Sequence, residues 1–234
     1  MSALLSLVDF EFSYEPAVPG AWRLSIPSFE LHRGQVAVVS GDNMSGKSTL
    51  LSILGGMVSL RSCTGSVLGF TASEESQAQL AANSVVLSSD DKMFPELSVR
   101  QNIIIANRSL PFRSIGREIN ASRAVFVASG VTSEAAFDAP LGSLSSGGRA
   151  LAKLARAHLS LSPIVIVDEI SSFLDEARAK YFLTSAVKLV QNGRAVIIVS
   201  HSDRDRQQLL RESQTVCFHI YRRESRSELT RLDK

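Results

Sequence analysis

Apolar and polar positions along the chain follow two periods. LSLVDFEFSY (residues 5–14) and LSIPSFELHRG (24–34) alternate, as half-buried strands do, and predict an antiparallel N-terminal layer. QVAVVSG (35–41) is instead a continuous apolar run closed by Gly41, which fits a strand buried on both faces of a parallel sheet. SVVLSS (84–89), PIVIVDE (163–169) and RAVIIVSH (194–201) are further short β-branched runs. Helical spacing marks KSTLLSILGGMV (47–58), which stops at Gly-Gly, and DEARAKYFLTSAVKLVQNG (175–193), which stops at Asn192-Gly193. Strand and helix in alternation imply a parallel sheet with right-handed crossovers.

From Asp90 to Gly142 no strong strand pattern occurs; SVRQNIIIANRSL (98–110) and REINASRAVFVASG (117–130) read as helices. LSSGGRALAKLARA (144–157) reads as a helix start, with Ser145 and Ser146 as cap candidates. The expected fold class is α/β: a core with a mostly parallel sheet, an N-terminal antiparallel β layer and an inserted helical subdomain. The expected division is a core of residues 1–89 and 158–234 and a helical subdomain of 90–157. The tail YRRESRSELTRLDK (221–234) mixes both charge signs and reads as a solvated helix or strand end.

Composition narrows the function classes. The chain has 234 residues, 44% of them hydrophobic and 21% charged, with a net charge of +2. That balance is too mild to argue for nucleic-acid binding. MSALLSLVDF lacks the basic region of a signal peptide, and runs such as IVIV and AVIIV are strand-sized rather than membrane spans. The two cysteines, Cys63 and Cys217, stand far apart without CxxC spacing; they read as apolar interior thiols, not as a disulfide or zinc framework.

Chemistry enters with GDNMSGKST (41–49), which fits G-x-x-x-x-G-K-[ST] between a buried strand and a helix. Backbone N–H groups of such a loop, with the helix N-terminus behind it, point at anionic oxygens. The candidate phosphate-binding residues are Gly41, Asp42, Asn43, Met44, Ser45, Gly46, Lys47, Ser48 and Thr49. Gly46 permits close backbone approach, Lys47 reaches the β- and γ-phosphates, and the Ser48 hydroxyl ligates Mg2+. In IVIVDE (164–169), Asp168 ends a buried strand and is placed to hold Mg2+ through water; Glu169 is placed to orient or deprotonate an attacking water. His201 ends another strand at the sheet edge where ligands bind.

These segments, in this order, resemble an ATP-binding cassette (ABC) ATPase, with a P-loop NTPase core, over nearly the whole chain. GDNMSGKST resembles the Walker A motif and IVIVDE the Walker B motif with its catalytic glutamate. LSSGGRALAKLARA resembles the L-S-G-G-Q signature, SFLD (172–175) the D-loop with Asp175, and His201 the switch histidine. MFPELSVRQNI (93–103) resembles the segment after the Q-loop, and Tyr14 lies where the family places an aromatic that stacks on adenine. The resemblance implies ATP and Mg2+ as ligands and two cassettes closing head to tail. Ser145 and the Gly147 amide would then meet the partner cassette's ATP, at a helix N-terminus.

The sequence departs from the family pattern at named positions. Ser146 and Gly148 replace the signature's glycine and glutamine, and Ser89, beside Asp90, aligns with the Q-loop glutamine that serves the metal. Met44 replaces a loop glycine and Ile170 a proline. Lys47, Ser48, Asp168, Glu169 and His201 are intact, so the pattern implies a competent ATP side and a weakened signature. A heterodimer or fused-type pairing with one strong and one weak site is the favoured arrangement. The implied function is the ATP-hydrolysing subunit of a transporter. Separate membrane subunits would make it peripheral on the cytoplasmic face. SVRQNIIIANR and VSHSDRD (199–205) look like the cassettes of sugar importers, without naming a substrate. Two alternatives stand beside it: a non-transport switch of the cell-division type, and a cassette that binds ATP but hydrolyses it slowly.

Overall fold

The computed structural model describes residues 3–61, 63–68, 70–88, 93–106, 112–128, 134–169 and 174–232. Strands β1 (Leu5–Phe12) and β2 (Arg23–Leu31) pair antiparallel from Leu5↔Leu31 to Phe12↔Leu24. Simple alternation would split the apolar side chains of β1 between two faces. Instead Asp9 takes a left-handed backbone (φ 49), and the register of β1 against β4 (Thr64–Val67) shifts between Val8 and Glu11. Pro27, which has no N–H to give a ladder, lies in the matching stretch of β2, between the pairs Val8↔Ser28 and Phe10↔Ile26. Both strands change face there. Leu5, Leu7, Phe10 and Phe12 thus join Leu24, Ile26, Phe29 and Leu31 in one core.

Among the described residues ten strands form a single sheet, in the order β5 (Phe70–Thr71), β4, β1, β2, β10 (Arg226–Leu232), β9 (Gln214–Arg223), β3 (Gln35–Gly41), β8 (Ala195–Val199), β7 (Ile164–Asp168), β6 (Ser84–Leu87). Its parallel part places β3 (Gln35–Gly41) between β8 (Ala195–Val199) and β9 (Gln214–Arg223), with β7 (Ile164–Asp168) beyond β8. Ala37, Val39, Ile164, Ile166, Ala195, Ile197 and Val199 belong to the same core as β1 and β2; the alternate residues are buried on the opposite face. That double burial explains the continuous apolar runs. The antiparallel layer is continuous with this sheet: β2 pairs parallel with β10 (Arg226–Leu232), and β10 antiparallel with β9. Residues 221–232 of the charged tail are therefore the end of β9 and all of β10, a strand inside the sheet. Helix α1 (Lys47–Leu54) contributes Leu50, Leu51, Ile53 and Leu54 to the core. The elements without a sequence expectation include β4, β5 (Phe70–Thr71) and α2 (Glu74–Asn83), whose N-terminus is closed by a Ser73–Ser76 capping box. The run SVVLSS contributes β6 (Ser84–Leu87), and α7 (Asp203–Glu212) follows β8.

By packing, the chain divides into two compact units. One holds Met1–Val86, Ser162–Asp168 and Val190–Lys234; the other holds Leu87–Leu161 and Glu169–Leu189. The second unit collects α3 (Val99–Ala106), α4 (Phe112–Ala128), α5 (Ser146–Leu159) and most of α6 (Glu176–Gln191). Residues 169–189, expected in the core, thus cluster with the helices. Buried alanines of α5 allow close approach, and the Ser122 hydroxyl of α4 donates to the Ala155 carbonyl at 3.0 Å. Tyr181 of α6 donates to the Val125 carbonyl at 2.6 Å.

Asn102 ties the segment before α3 together. It is buried, its Oδ1 accepts from the Phe94 amide at 2.7 Å, and its Nδ2 donates to the carbonyls of Phe94, Leu97 and Ser98. Arg100 pairs with Asp138 at 2.5 Å and lies 5.5 Å from the Phe137 ring; the pairing holds the Asp138 carboxyl below its usual range. Cys63 and Cys217 are half-buried and form no disulfide, and burial pushes the Cys63 thiol up to about 11. Asn102→Ala leaves an amide and several carbonyls short of partners. It is expected to lower stability by about 1–3 kcal/mol in urea denaturation, where a surface Asn→Ala change costs little.

Candidate functional site

The first unit gathers its chemistry at the C-terminal edge of the parallel strands. β3 ends at Gly41, β7 at Asp168 and β8 at Val199, with Asp168 in register with Val199 and Val199 with Val39. Residues 41–49 turn from β3 into α1. Gly41 (φ 151) and Gly46 (φ 106) hold positive-φ backbones, and both approach their neighbours closely. A Cβ at Gly41 would lie 2.7 Å from Ser45 Oγ and 2.8 Å from the Ile220 carbonyl oxygen; one at Gly46 would lie 2.8 Å from the Trp22 ring. Both positions therefore require glycine. The Trp22 indole N–H is held in turn by Ser227 Oγ at 3.1 Å.

Lys47 is buried, and its ammonium donates to the carbonyls of Gly41 (2.9 Å) and Asp42 (2.8 Å), across the mouth of the loop. Asp42, Asn43, Met44 and Ser48 are exposed, whereas Ser45 is fully buried with no hydrogen-bond partner for its hydroxyl among the described residues. Thr49 lies 3.4 Å, Oγ1 to OH, from Tyr14, a residue 61% exposed whose ring packs edge-on against Phe12 with centroids 4.8 Å apart. An exposed, edge-braced ring beside the phosphate loop is suited to stacking on a base. Glu169 follows β7 with a left-handed backbone, φ 48. His201 is exposed after β8. The turn around it is set by Ser200, whose hydroxyl donates to buried Asp205 (2.9 Å), and by Ser202, which caps α7.

Hard oxygen donors for a magnesium ion are present at this edge in Ser48 and Asp168. Among the described residues no three His, Cys, Asp or Glu side chains gather into a metal site. This donor set suits an ion that arrives with phosphates rather than one resident in a protein cage. Ser89, the third expected metal residue, lies outside the described residues, as do Asp90, Ile170 and residues 172–173.

Glu169 belongs by packing to the second unit, and the remaining expected residues lie there too. Ser145 caps α5: its Oγ accepts from the Gly148 amide at 3.1 Å, and Ser146 is the first helical residue rather than the cap. Ser145 and Ser146 are exposed, Gly147 and Gly148 buried. A Cβ at Gly148 would sit 3.2 Å from Leu144 Cβ, so the glutamine usual in the signature would press on its neighbour. Asp175 accepts from the Arg178 amide at 3.0 Å and pairs with its guanidinium at 2.9 Å, starting α6. Two contacts at the phosphate loop carried no signal beyond residue type: Trp22 beneath Gly46, and Arg222 on the Met44 carbonyl at 2.6 Å.

The ABC transporter family model matches residues 24–172, which span β2, the phosphate loop, α5 and β7. The chain belongs to the ABC transporter family. Among curated relatives of this cassette is the arabinose import ATP-binding protein AraG of Pseudomonas syringae pv. tomato, 32% identical over 78% of the chain. Another is the ribose import ATP-binding protein RbsA of Chromobacterium violaceum, 29% identical over 74%. The cassette spans about a third of the length of these relatives, 36% and 35% respectively. Solved structures agree on the fold. An ATP-binding subunit of an ABC transporter superposes with a TM-score of 0.77 at 18% identity, over 98% of this chain and 90% of that one. Clostridium perfringens cbiO1 superposes with 0.74 at 20%, over 97% and 87%. Lys47→Ala is expected to weaken ATP binding by about 10- to 100-fold, the scale of lost hydrogen bonds to a charged group, in an equilibrium binding assay.

Proposed function

We propose that this cassette binds MgATP at residues 41–49 and hydrolyses it as the energy-coupling subunit of a transporter. The observation that carries the reading is the loop itself: positive-φ glycines at both ends, a buried lysine across its mouth, and an exposed tyrosine beside the first turn of α1. In this reading Tyr14 stacks on adenine and the amides of residues 41–49 hold the phosphates. Ser48 and Asp168 hold Mg2+, which when bound neutralises charge on the phosphate oxygens. Glu169 takes a proton from the attacking water, and His201 donates to the γ-phosphate oxygens.

A second cassette completes the site through its own signature, while this chain's Ser145 and Gly147 serve the opposite ATP. The altered signature favours a partner of different sequence. Ser146 places a Cβ at the exposed helix start where the family carries glycine, and Gly148 removes the glutamine side chain. The import ATP-binding relatives support membrane-spanning partner subunits, and with them a peripheral place on the cytoplasmic face. The names of the relatives make a monosaccharide importer the first transporter class to test. Ser89 and Ser146 together favour the second reading, in which ATP is held but turned over slowly, and the intact Glu169 and His201 oppose it: losing one preorganised donor slows chemistry by about 10²–10³-fold.

ATP turnover by the purified chain, alone and mixed with candidate partner cassettes, tests the assignment. Glu169→Gln is expected to abolish turnover, keep ATP affinity, and trap an ATP-bound cassette dimer on size-exclusion chromatography. Turnover that persists in Glu169→Gln would remove Glu169 as the base.

A further inference from the structure

The phosphate loop contains a left-handed residue that is not glycine. Met44 has φ 62, a conformation that costs an L residue free energy because its Cβ crowds the carbonyl oxygen. Its side chain is 79% exposed, so packing does not hold it there. The Met44–Ser45 peptide is held on both sides: the Ser45 N–H donates to the Asp42 carbonyl at 3.1 Å, and Arg222 Nη1 donates to the Met44 carbonyl oxygen at 2.6 Å, a charge-assisted bond.

The sheet register puts Arg222 in that place. β9 runs parallel to β3 with Ile220 opposite Gly41, and Ile220 lies in the core below the loop. Two residues further on, on the same face, Arg222 clears the end of β3 and reaches over the loop. Its cross-strand partner on β10 is Ser227, the residue that also holds Trp22 against Gly46. The hairpin therefore fixes the loop at two points, from below through Trp22 and from outside through Arg222.

We propose that Arg222 is a positioning residue for the phosphate loop. By holding the Met44 carbonyl outward, its guanidinium keeps the Met44–Ser45 peptide from flipping and turning an oxygen toward the phosphates. It stabilises at Met44 the backbone that glycine adopts unaided. The inference rests on ATP being bound at residues 41–49. It makes Met44 and Arg222 a compensating pair: the clamp matters because a side chain stands where none is needed.

The test is a double-mutant cycle of wild type, Arg222→Ala, Met44→Gly and the double variant, with Arg222→Lys as the charge-conserving control. MgATP is the probe, followed through the fluorescence of Trp22, the single tryptophan. A second readout needs no nucleotide: amide hydrogen exchange of peptides covering residues 41–49. Arg222→Ala is expected to weaken ATP binding about tenfold and to speed exchange in the loop, with Arg222→Lys in between. Met44→Gly is expected to tighten binding about threefold, and within that background Arg222→Ala is expected to change affinity and exchange by less than twofold. Equal losses in both backgrounds would overturn the proposal by making Arg222 a direct or long-range partner of the phosphates. Unchanged affinity and exchange in Arg222→Ala would overturn it by removing the clamp. If wild type bound no ATP, the reading of the site would fail on its own, and the exchange data would still decide the clamp.

Discussion

A polyanion is held by backbone amides only where the chain turns so that its N–H groups converge, and in the proposed site that turn runs from Gly41 to Lys47. The turn needs positive-φ backbone at Gly41, Met44 and Gly46, and no side chain at the two glycines. The first unit is arranged around these needs. Ile220 closes the space at Gly41 and Trp22 the space at Gly46. Ile220 lies on β9 and Trp22 just before β2, and these two strands flank β10 in the sheet. The core shared by β1, β2, α1 and one face of the parallel strands fixes all of them together.

The second unit uses the start of a helix in another way. The four first amides of α5 need acceptors, and Ser145 satisfies the Gly148 amide from within the chain. The remaining N–H groups there keep the character of an anion site. Asn102 does comparable work before α3, giving four hydrogen bonds to a stretch that forms neither strand nor helix. The family pattern seen in MFPELSVRQNI thus has a physical content, since its asparagine folds the segment that precedes it.

Much of this was legible from residue pattern. Continuous apolar runs marked the doubly buried strands β3, β7 and β8, and the loop motif between strand and helix marked the turn proposed to hold phosphates. The alternation of β1 was read too simply, because a local left-handed residue at Asp9 near Pro27 changes the face of both strands. The short strands β4 and β5 have few apolar residues to signal them. Arg222 was hidden in a charged tail, since only the pairing of β9 with β3 brings it to the loop. Long-range register is not a local property, so no window of sequence shows it. Residue exposure and carbonyl geometry at Met44 likewise appear only once the loop is folded.

The central claim is that one MgATP sits on residues 41–49 of this chain. Calorimetric titration of the purified protein with ATP in the presence and absence of Mg2+ tests it most directly. The account predicts one ATP per chain, bound more tightly with Mg2+. No binding at millimolar ATP, or binding that survives reversal of charge at Lys47 by Lys47→Glu, would contradict it.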